Sequence, residues 1–544
     1  MRKFIILACC IGLVVTELNV PEALKRETNS GRAGVKARLS PRGINFIANF
    51  LTNALITELV TVSVTSAPQK VSTGAGEVTV NEMTLTINHA PGAIDTRPRA
   101  PASVLLQVNQ LNIAANLKLG GAVAGNARIT TSNAQANLEI AIVRNFNGAP
   151  NLRIASCKIV HKAPINLEMA SGPAKDALNK EVAELLQSLL CSRAEFITEE
   201  RINERFSLLS PKMPLANIND ETIVKDLIAS MRLIRRQRDL FRAERRPRES
   251  LITGFNVTRA ESLFLDYTIL NEVKVNDMGV EIETSGEVSL RGRGGTPFGA
   301  VPFSLPPASN ADSMLQMVVS DFVPNSLMYH GHTIGLFNTH IDPSTPHFGP
   351  IMKTTCSLSS GSLFCLGDLF PTLRRMHPNQ QLSMSFSTVQ APVIQFKPTS
   401  EGGISFSLLG KIVINIVNPA FNTEEKVAEM GINVDAKMKI RLSSSVVRPK
   451  ISLNSIILTT LSPGILLQKE LDDSVLLARE VLQRMVNDVL REGIPIPVHP
   501  LFQLNKPKVK VLNRALLLQT NFDLNERLLR QLTAADLRKR VIRV

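Results

Sequence analysis

Six cysteines and eight histidines are the residues of this chain best suited to covalent or metal chemistry, and their spacing narrows what that chemistry is. Cys9 and Cys10 sit in an apolar N-terminal run. Cys157, Cys191, Cys356 and Cys365 remain. No C-x2-C pair is present, which argues against zinc. An even count in an oxidising compartment predicts two disulfides. If the two halves fold separately, the favoured pairings are Cys157–Cys191 and Cys356–Cys365. The histidines cluster at His330, His332, His340 and His347, with Asp342 nearby. His330-x-His332 would place both rings on one face of a strand, the start of a metal site. No recognised ligand spacing completes it, so they read as polar loop histidines and no metal is expected.

Catalytic signatures are absent. The chain has no G-x-S-x-G elbow, no H-E-x-x-H and no G-x-x-x-x-G-K-[ST]. Neither an enzyme nor a cofactor is expected. A secreted lipid hydrolase is the enzyme-class alternative.

The densest charge lies in residues 232–248. Arg232, Arg235, Arg236, Arg238, Arg242, Arg245, Arg246 and Arg248 are opposed only by Asp239 and Glu244. Leu233, Ile234, Leu240 and Phe241 interleave with them. Three readings stand: a basic amphipathic helix for anionic membrane surfaces, a solvated loop, or a processing site at Arg245-Arg246. The chain carries a formal +14. The arginine run holds +6 and the tail 527–544 holds +5, so the body is near neutral. With no Trp and only 2 Tyr, base-stacking platforms are scarce and nucleic acid is not expected as a partner.

Arg2 and Lys3 followed by the apolar run Phe4–Val15 form a signal-peptide pattern, placed at 1–18. A run of that length is too short to span a bilayer. The expectation is a secreted, extracellular protein. Asn256-Val257-Thr258 is a glycosylation acceptor that fits this compartment.

These residues need elements to position them. At 544 residues the chain exceeds what one core supports, so two domains are expected. Ser40-Pro41 is a helix start, and Ile44, Ile47, Leu51, Leu55 and Leu59 recur at helical spacing. Alternation follows through Val78, Val80, Leu85 and Ile87, then Val104, Leu106 and Val108, then 136–143 and 152–167. Gly172-Pro173 opens a second helix with the stripe Leu178, Val182, Leu185, Leu186, Leu189 and Leu190. The second half repeats the grammar after a Pro-rich stretch at 296–308. A helix is predicted from Asp312, carrying Met314, Leu315, Val318, Val319 and Phe322. Alternating segments follow at 382–396, 404–417, 432–442 and 451–458. A late helix from Asp472 stops at Gly493 and Pro495, and a last strand runs through Val509, Val511, Leu516 and Leu518. Helix, long sheet, helix occurs twice, as in a duplicated architecture.

GVKARLSPRGINF (34–46), the strand ending Ala155-Ser156-Cys157, Ser313–Tyr329 and GIPIPVHPLFQLNKPKVKVLNRALLLQTNFDL (493–524) together carry a resemblance. Over most of residues 30–525 the chain resembles the family of bactericidal/permeability-increasing protein, lipopolysaccharide-binding protein, and the cholesteryl ester and phospholipid transfer proteins. The resemblance implies an α+β fold: an elongated boomerang of two barrel-like domains, each a long twisted antiparallel sheet plus two helices, joined by a central sheet with pseudo-two-fold symmetry. The implied boundaries are an N-terminal barrel at 30–290 with an insertion at 210–255, a linker at 291–312, and a C-terminal barrel at 313–544 with a basic tail at 527–544. It also implies that Cys157 and Cys191 form the family's disulfide. Cys356 and Cys365 match no family-wide bridge.

The resemblance further implies one apolar pocket per barrel for phospholipid acyl chains or other amphipathic lipids. The candidate walls are Ile44, Ile47, Leu51 and Leu55 with Leu178, Val182, Leu185 and Leu189. In the second half they are Leu315, Val318, Val319 and Phe322 with Leu476, Leu482, Met485 and Val489. The alternative reading of each stripe is plain core. The family's endotoxin-binding members carry clustered cations on loops at the N-terminal tip. The corresponding loops here hold only Lys70, Arg97 and Arg99. Lipid binding or transfer is therefore expected, with antimicrobial recognition of bacterial envelope lipids as the alternative.

Overall fold

Ser40 ends the first strand and starts the first helix. Its carbonyl accepts the Ile44 N–H at 2.9 Å and its hydroxyl accepts the Gly43 N–H at 3.3 Å, with Pro41 in the first turn. The computed structural model describes residues 24, 32–61, 69–73, 76–90, 92–121, 124–170, 173–203, 211–215, 257–307, 313–345, 348–356, 365–421, 423–443, 446–490, 494–495 and 502–525. Within them β1 is Val35–Leu39 and α1 is Pro41–Thr61.

A seven-stranded antiparallel sheet follows. Its strands are β2 (Gln69–Thr73), β3 (Gly76–Asn88), β4 (Ile94–Arg99), β5 (Ser103–Gly121), β6 (Gly125–Arg144), β7 (Pro150–His161) and β8 (Asn166–Glu168). The order is β2-β3-β5-β6-β7, with β4 on β5 and β8 on β6. Bulges curl it. In β3 the buried positions switch from Val78 and Val80 to Met83, Leu85 and Ile87 across a register shift at Val80/Glu82. In β5 they switch from Val104, Leu106 and Val108 to Leu111, Ile113 and Ala115, where Gln110 has φ 53°. Asn133 on β6 has φ 50° beside the same shift, so both long strands bend at one level.

Helix α2 (Pro173–Ile197) lies inside the curl and continues into a wider turn at Thr198–Asn203. Leu178, Leu185, Leu186 and Leu189 are almost solvent-free, and each burial contributes about 2 kcal/mol. The free edge of β7 is capped by amides. Gln187 accepts the Ile159 N–H, and Asn203 both accepts from Leu152 N and donates to Leu152 O.

The middle of the molecule contains two sheets. β9 (Lys212–Pro214), β10 (Leu263–Asp266) and β13 (Val288–Leu290) form the smaller one, in the order β13-β10-β9. The larger has six strands and draws on both ends of the chain. It adds β11 (Lys274–Asn276), β12 (Gly279–Thr284), β14 (Leu315–Ser320), β22 (Phe502–Leu512) and β23 (Ala515–Leu524) to β1, in the order β11-β12-β1-β14-β23-β22. β1 and β14 are antiparallel neighbours, with Val35 opposite Val319, Ala37 opposite Met317 and Leu39 opposite Leu315. Each is followed at once by a helix, β14 by α3 (Phe322–Thr333). The arrangement has local two-fold character about the Ala37–Met317 pair.

The helix expected from Asp312 is replaced by β14 and then α3. Asp312 itself lies outside the described residues. A short apolar run such as Met314–Val319 fits a buried strand as well as a helix, and pairing on both sides with β1 and β23 decides for the strand. The Pro-rich stretch crosses one face of this sheet. Pro306 O accepts from Arg38 Nη1 at 2.7 Å, and Phe303 lies under the Lys36 ammonium.

The second curled sheet contains β15 (Thr339–Ile341), β16 (Gln381–Thr388), β17 (Val393–Phe396), β18 (Ile404–Asn418), β19 (Thr423–Ser443), β20 (Val446–Thr460) and β21 (Ile494–Pro495). Two short helices, α4 (Leu366–Leu369) and α5 (Pro371–Met376), precede β16. Helix α6 (Gln468–Leu490) begins one turn before the expected Asp472. It seals the β20 edge as α2 seals β7: Gln483 and Asn487 accept from Leu453 N and Ile451 N, and Gln468 donates to Leu458 O.

Candidate functional site

The residues named from the sequence separate into packed core, open wall and solvent. Leu178, Val182, Leu185 and Leu189 belong to the core between α2 and the first sheet. Ile44 is buried against Val104, Val273, Val275 and Val280, while Ile47 is only half-buried. For Leu51, Leu55, Met485 and Val489 only the helical backbone is described.

In the second half, the four residues expected along one helix do not share a wall. Leu315 and Val319 lie on one face of β14 and Val318 on the other, because strand side chains alternate. Phe322 packs with Leu24, Phe298, Ala300 and Val393. Leu482 packs on the C-terminal sheet beside Val475 and Val486. Leu476 is 77% exposed, turned away from that stripe, and takes no part in it.

The six-stranded sheet has two chemically different faces. On one, Arg38 pairs with Glu281 at 2.8 Å and Lys36 with Glu283 at 3.0 Å, beside Gln316 and under the Pro-rich strap. On the other, the registers align Val35, Ala37, Leu39, Ile282, Leu315, Met317, Val319 and Leu516. None of these eight is ionisable, and all eight are half-buried rather than sealed.

The walls around this apolar face come from three directions. Phe46 and Ile47 of α1 join Leu39, Leu315 and Met317 on the cluster of Met314, Leu504, Leu518 and Phe522, and Leu442 and Val447 reach it from the second sheet. Leu516 meets Met438, Ile440 and Phe406 on the cluster of Ile394, Phe396 and Ile404. A filled core leaves few voids, so aliphatic side chains that keep partial exposure between such walls mark an apolar trough. The signal was present in the sequence as alternation. GVKARL and GVEIET each interleave charged and apolar residues, and the apolar set lines the trough.

Helix α3 brings a contrasting set of groups together. Asp321, fully buried, receives Arg514 Nε at 2.5 Å and Nη2 at 3.2 Å. Asn325 donates to Ile394 O at 2.7 Å and accepts from Ile394 N at 2.8 Å. Ser326 accepts the Val288 N–H at 2.9 Å.

The histidines are not a metal set. His330 and His332 lie on α3, not on a strand, so two residues of separation turns them apart. His330 is buried edge-on to Tyr329, whereas His332 Nδ1 contacts Thr388 Oγ1 at 2.6 Å. Burial lowers the pKa of both imidazoles. His340 bonds Ser385 and faces Glu424 at 3.1 Å. His347 lies outside the described residues, as do residues 1–18, Arg232, Arg235, Arg236, Arg238, Arg242, Arg245, Arg246, Arg248, Asn256 and the tail 527–544.

Two disulfides are formed. Cys157–Cys191 ties β7 to α2 with the Cα atoms 5.8 Å apart, and Cys356–Cys365 joins positions 9 residues apart, the second directly before α4. Of the three cations near the N-terminal tip, Lys70 is paired with Glu77 and Arg97 with Asp95.

Comparison with known proteins adds the following. The LBP / BPI / CETP family, C-terminal domain, matches residues 258–524. Lipopolysaccharide-binding protein of Bos taurus is 25% identical over 275 residues, covering 47% of this chain and 52% of that protein. The Homo sapiens protein of the same name is 27% identical over 260 residues, covering 44% and 48%. The chain thus spans about half the length of the curated relatives it matches. A crystal structure of lipopolysaccharide binding protein aligns over 91% of this chain and 99% of that one, at TM-score 0.44 and 16% identity. P47 from Clostridium botulinum A2 aligns over the same shares at TM-score 0.27 and 10% identity.

Proposed function

From membership of the LBP / BPI / CETP family, to which the chain belongs through residues 258–524, we infer a secreted lipid-binding protein that holds phospholipid acyl chains and acts by binding, not catalysis. The observation that carries this reading is the half-buried, charge-free face of the central sheet, centred on Ala37 and Met317. An acyl chain needs apolar walls and little else. Each methylene taken out of water is worth about 0.8 kcal/mol, so a single chain supplies ample affinity without specific polar contacts.

The proposed site is a trough shared between the halves. It uses Ile47, Leu315 and Val319 from the sequence expectation and adds Val35, Ala37, Leu39, Phe46, Met317 and Leu516. Leu178, Val182, Leu185 and Leu189 support it from behind as core. The arginines of 232–248 supply attraction to anionic membrane surfaces in this reading. Deleting that segment is expected to weaken adsorption to anionic liposomes; unchanged adsorption rejects its role.

The central test is native mass spectrometry of the purified protein followed by lipid extraction. Bound phospholipid is expected in the parent and absent from Met317→Glu. Equal lipid in both sinks the trough assignment. A second reading, recognition of bacterial envelope lipids in innate immunity, is favoured by the two relatives named for lipopolysaccharide. Exchange of labelled phospholipid between vesicles supports transfer, whereas capture of lipopolysaccharide without exchange supports the second reading.

A further inference from the structure

Averaged over its length the body of the chain is near neutral, yet the structure sorts its charges by face. On β19, Lys439 and Arg441 are exposed and alternate with the inward Met438, Ile440 and Leu442. On β20, Arg448 and Lys450 are exposed as well. The register sets Lys439 directly opposite Lys450 and Arg441 directly opposite Arg448.

None of these four cations is within ion-pair distance of a carboxylate among the described residues. Elsewhere on the same sheet some cations are paired, as Lys411 and Lys426 are with Glu429. Like charges directly opposite on antiparallel strands are destabilising. The face therefore keeps a repulsion that neutral polar residues would relieve, as a binding surface does when stability is traded for a ligand.

We propose that the outward face of β19 and β20 is a docking surface for the phosphate headgroups of an anionic bilayer, separate from both the apolar trough and the 232–248 segment. Side chains on one strand face repeat about every 6.7 Å, and neighbouring strands lie about 4.8 Å apart, so β19 and β20 present a two-dimensional grid. Such a grid meets a planar array of headgroups better than a single threaded chain. Nucleic acid is disfavoured, because no aromatic side chain interleaves with these cations. The choice of a lipid surface rests on the lipid-binding reading above; the charge pattern does not.

The test uses the full chain and sedimentation with vesicles of phosphatidylglycerol mixed into phosphatidylcholine. The variants are Lys439→Gln with Arg441→Gln, and Arg448→Gln with Lys450→Gln. Lys162→Gln with Lys180→Gln on the other half is the control. Each cation near an anionic surface is worth about fivefold in partition. Each of the two double variants is expected to lose on the order of 30-fold at low salt. The control and binding to pure phosphatidylcholine should not change. The β19 variant should also melt no lower than the parent, since it removes cross-strand repulsion. Unchanged partition of both variants overturns the proposal. Loss of retention on heparin with vesicle partition intact also overturns it, and reassigns the face to a sulfated polysaccharide. Lipid extraction separates the two readings: lost adsorption with normal lipid content supports this surface, and an empty parent that still adsorbs through these cations rejects the trough alone.

Discussion

The two strand–helix units related across the Ala37–Met317 pair have the same place in the fold and opposite chemistry. Helix α1 follows β1 with 21 residues and contributes Phe46 and Ile47 to an apolar wall. Helix α3 follows β14 with 12 residues and buries Asp321, Asn325, Ser326 and His330. The first leaves its neighbours on the sheet half-buried; the second fastens β13 and β17 through side-chain to backbone bonds and the β22–β23 turn through the Asp321–Arg514 pair. A duplicated architecture therefore need not duplicate a site. The two units differ in what they place beside the sheet: an apolar wall from α1 and a polar clasp from α3.

The sharpest way to break this contrast is Asp321→Ala. It removes from the partly exposed Arg514 guanidinium two charge-assisted hydrogen bonds, each worth about 1.5–3 kcal/mol. The midpoint of urea unfolding should fall accordingly. An effect below about 1 kcal/mol, typical of exposed pairs, would falsify the clasp.

Replacing Cys157 and Cys191 together by serine comes next. The bridge closes a 34-residue separation between the β7 strand and α2, and its loss should cost about 3 kcal/mol. Bound lipid, assayed below the new melting temperature, should be retained, because α2 is support and not wall.

Asn325→Leu leaves both Ile394 backbone groups without their partner and should cost about 2 kcal/mol, again with lipid content unchanged. Phe46→Ala on α1 is the mirror experiment. A half-exposed side chain contributes less to stability, about 1 kcal/mol, but bound lipid should drop. If Phe46→Ala spares the lipid and Asn325→Leu removes it, the two units have been assigned the wrong way round.

The smallest effect concerns pH. Burial depresses the His330 imidazole, so the unfolded chain takes up its proton first as pH falls. The stability linked to His330 is complete above the unfolded value near 6.5 and is lost as pH drops through that value towards the folded one. His332 and His161 shift in the same direction. The informative quantity is therefore the difference between parent and His330→Phe in urea midpoint at pH 7.5 and 5.5. The variant should lose less on acidification, and parallel losses in both would count against a buried neutral imidazole.

Much of this was legible in the residues. Ser40-Pro41 marks the start of α1, and Leu178 to Leu189 read correctly as an apolar stripe that the structure places in packed core. The irregular spacings at Val80 to Leu85 and Val108 to Leu111 are bulges inside continuous strands. A one-residue insertion reverses which parity faces inward, and only the pairing partner shows that the strand goes on. Met314 to Val319 lies mostly in strand β14 and not in the expected helix, because an apolar run fits helix and strand alike until its neighbours are known.

Local patterning determined which residues are apolar, where helices begin, and that each half follows the same order of elements, because those properties depend on side chains a few positions apart. Tertiary structure alone decided that β1 and β14, 280 residues apart at the Ala37–Met317 pair, lie side by side. It also decided that their apolar side chains share one face of the sheet, and that Lys439, Arg441, Arg448 and Lys450 oppose one another. The physical reason is that the exposure of a side chain and the sign of its nearest charge are set by partners distant in the chain. Neither composition nor periodicity carries that information.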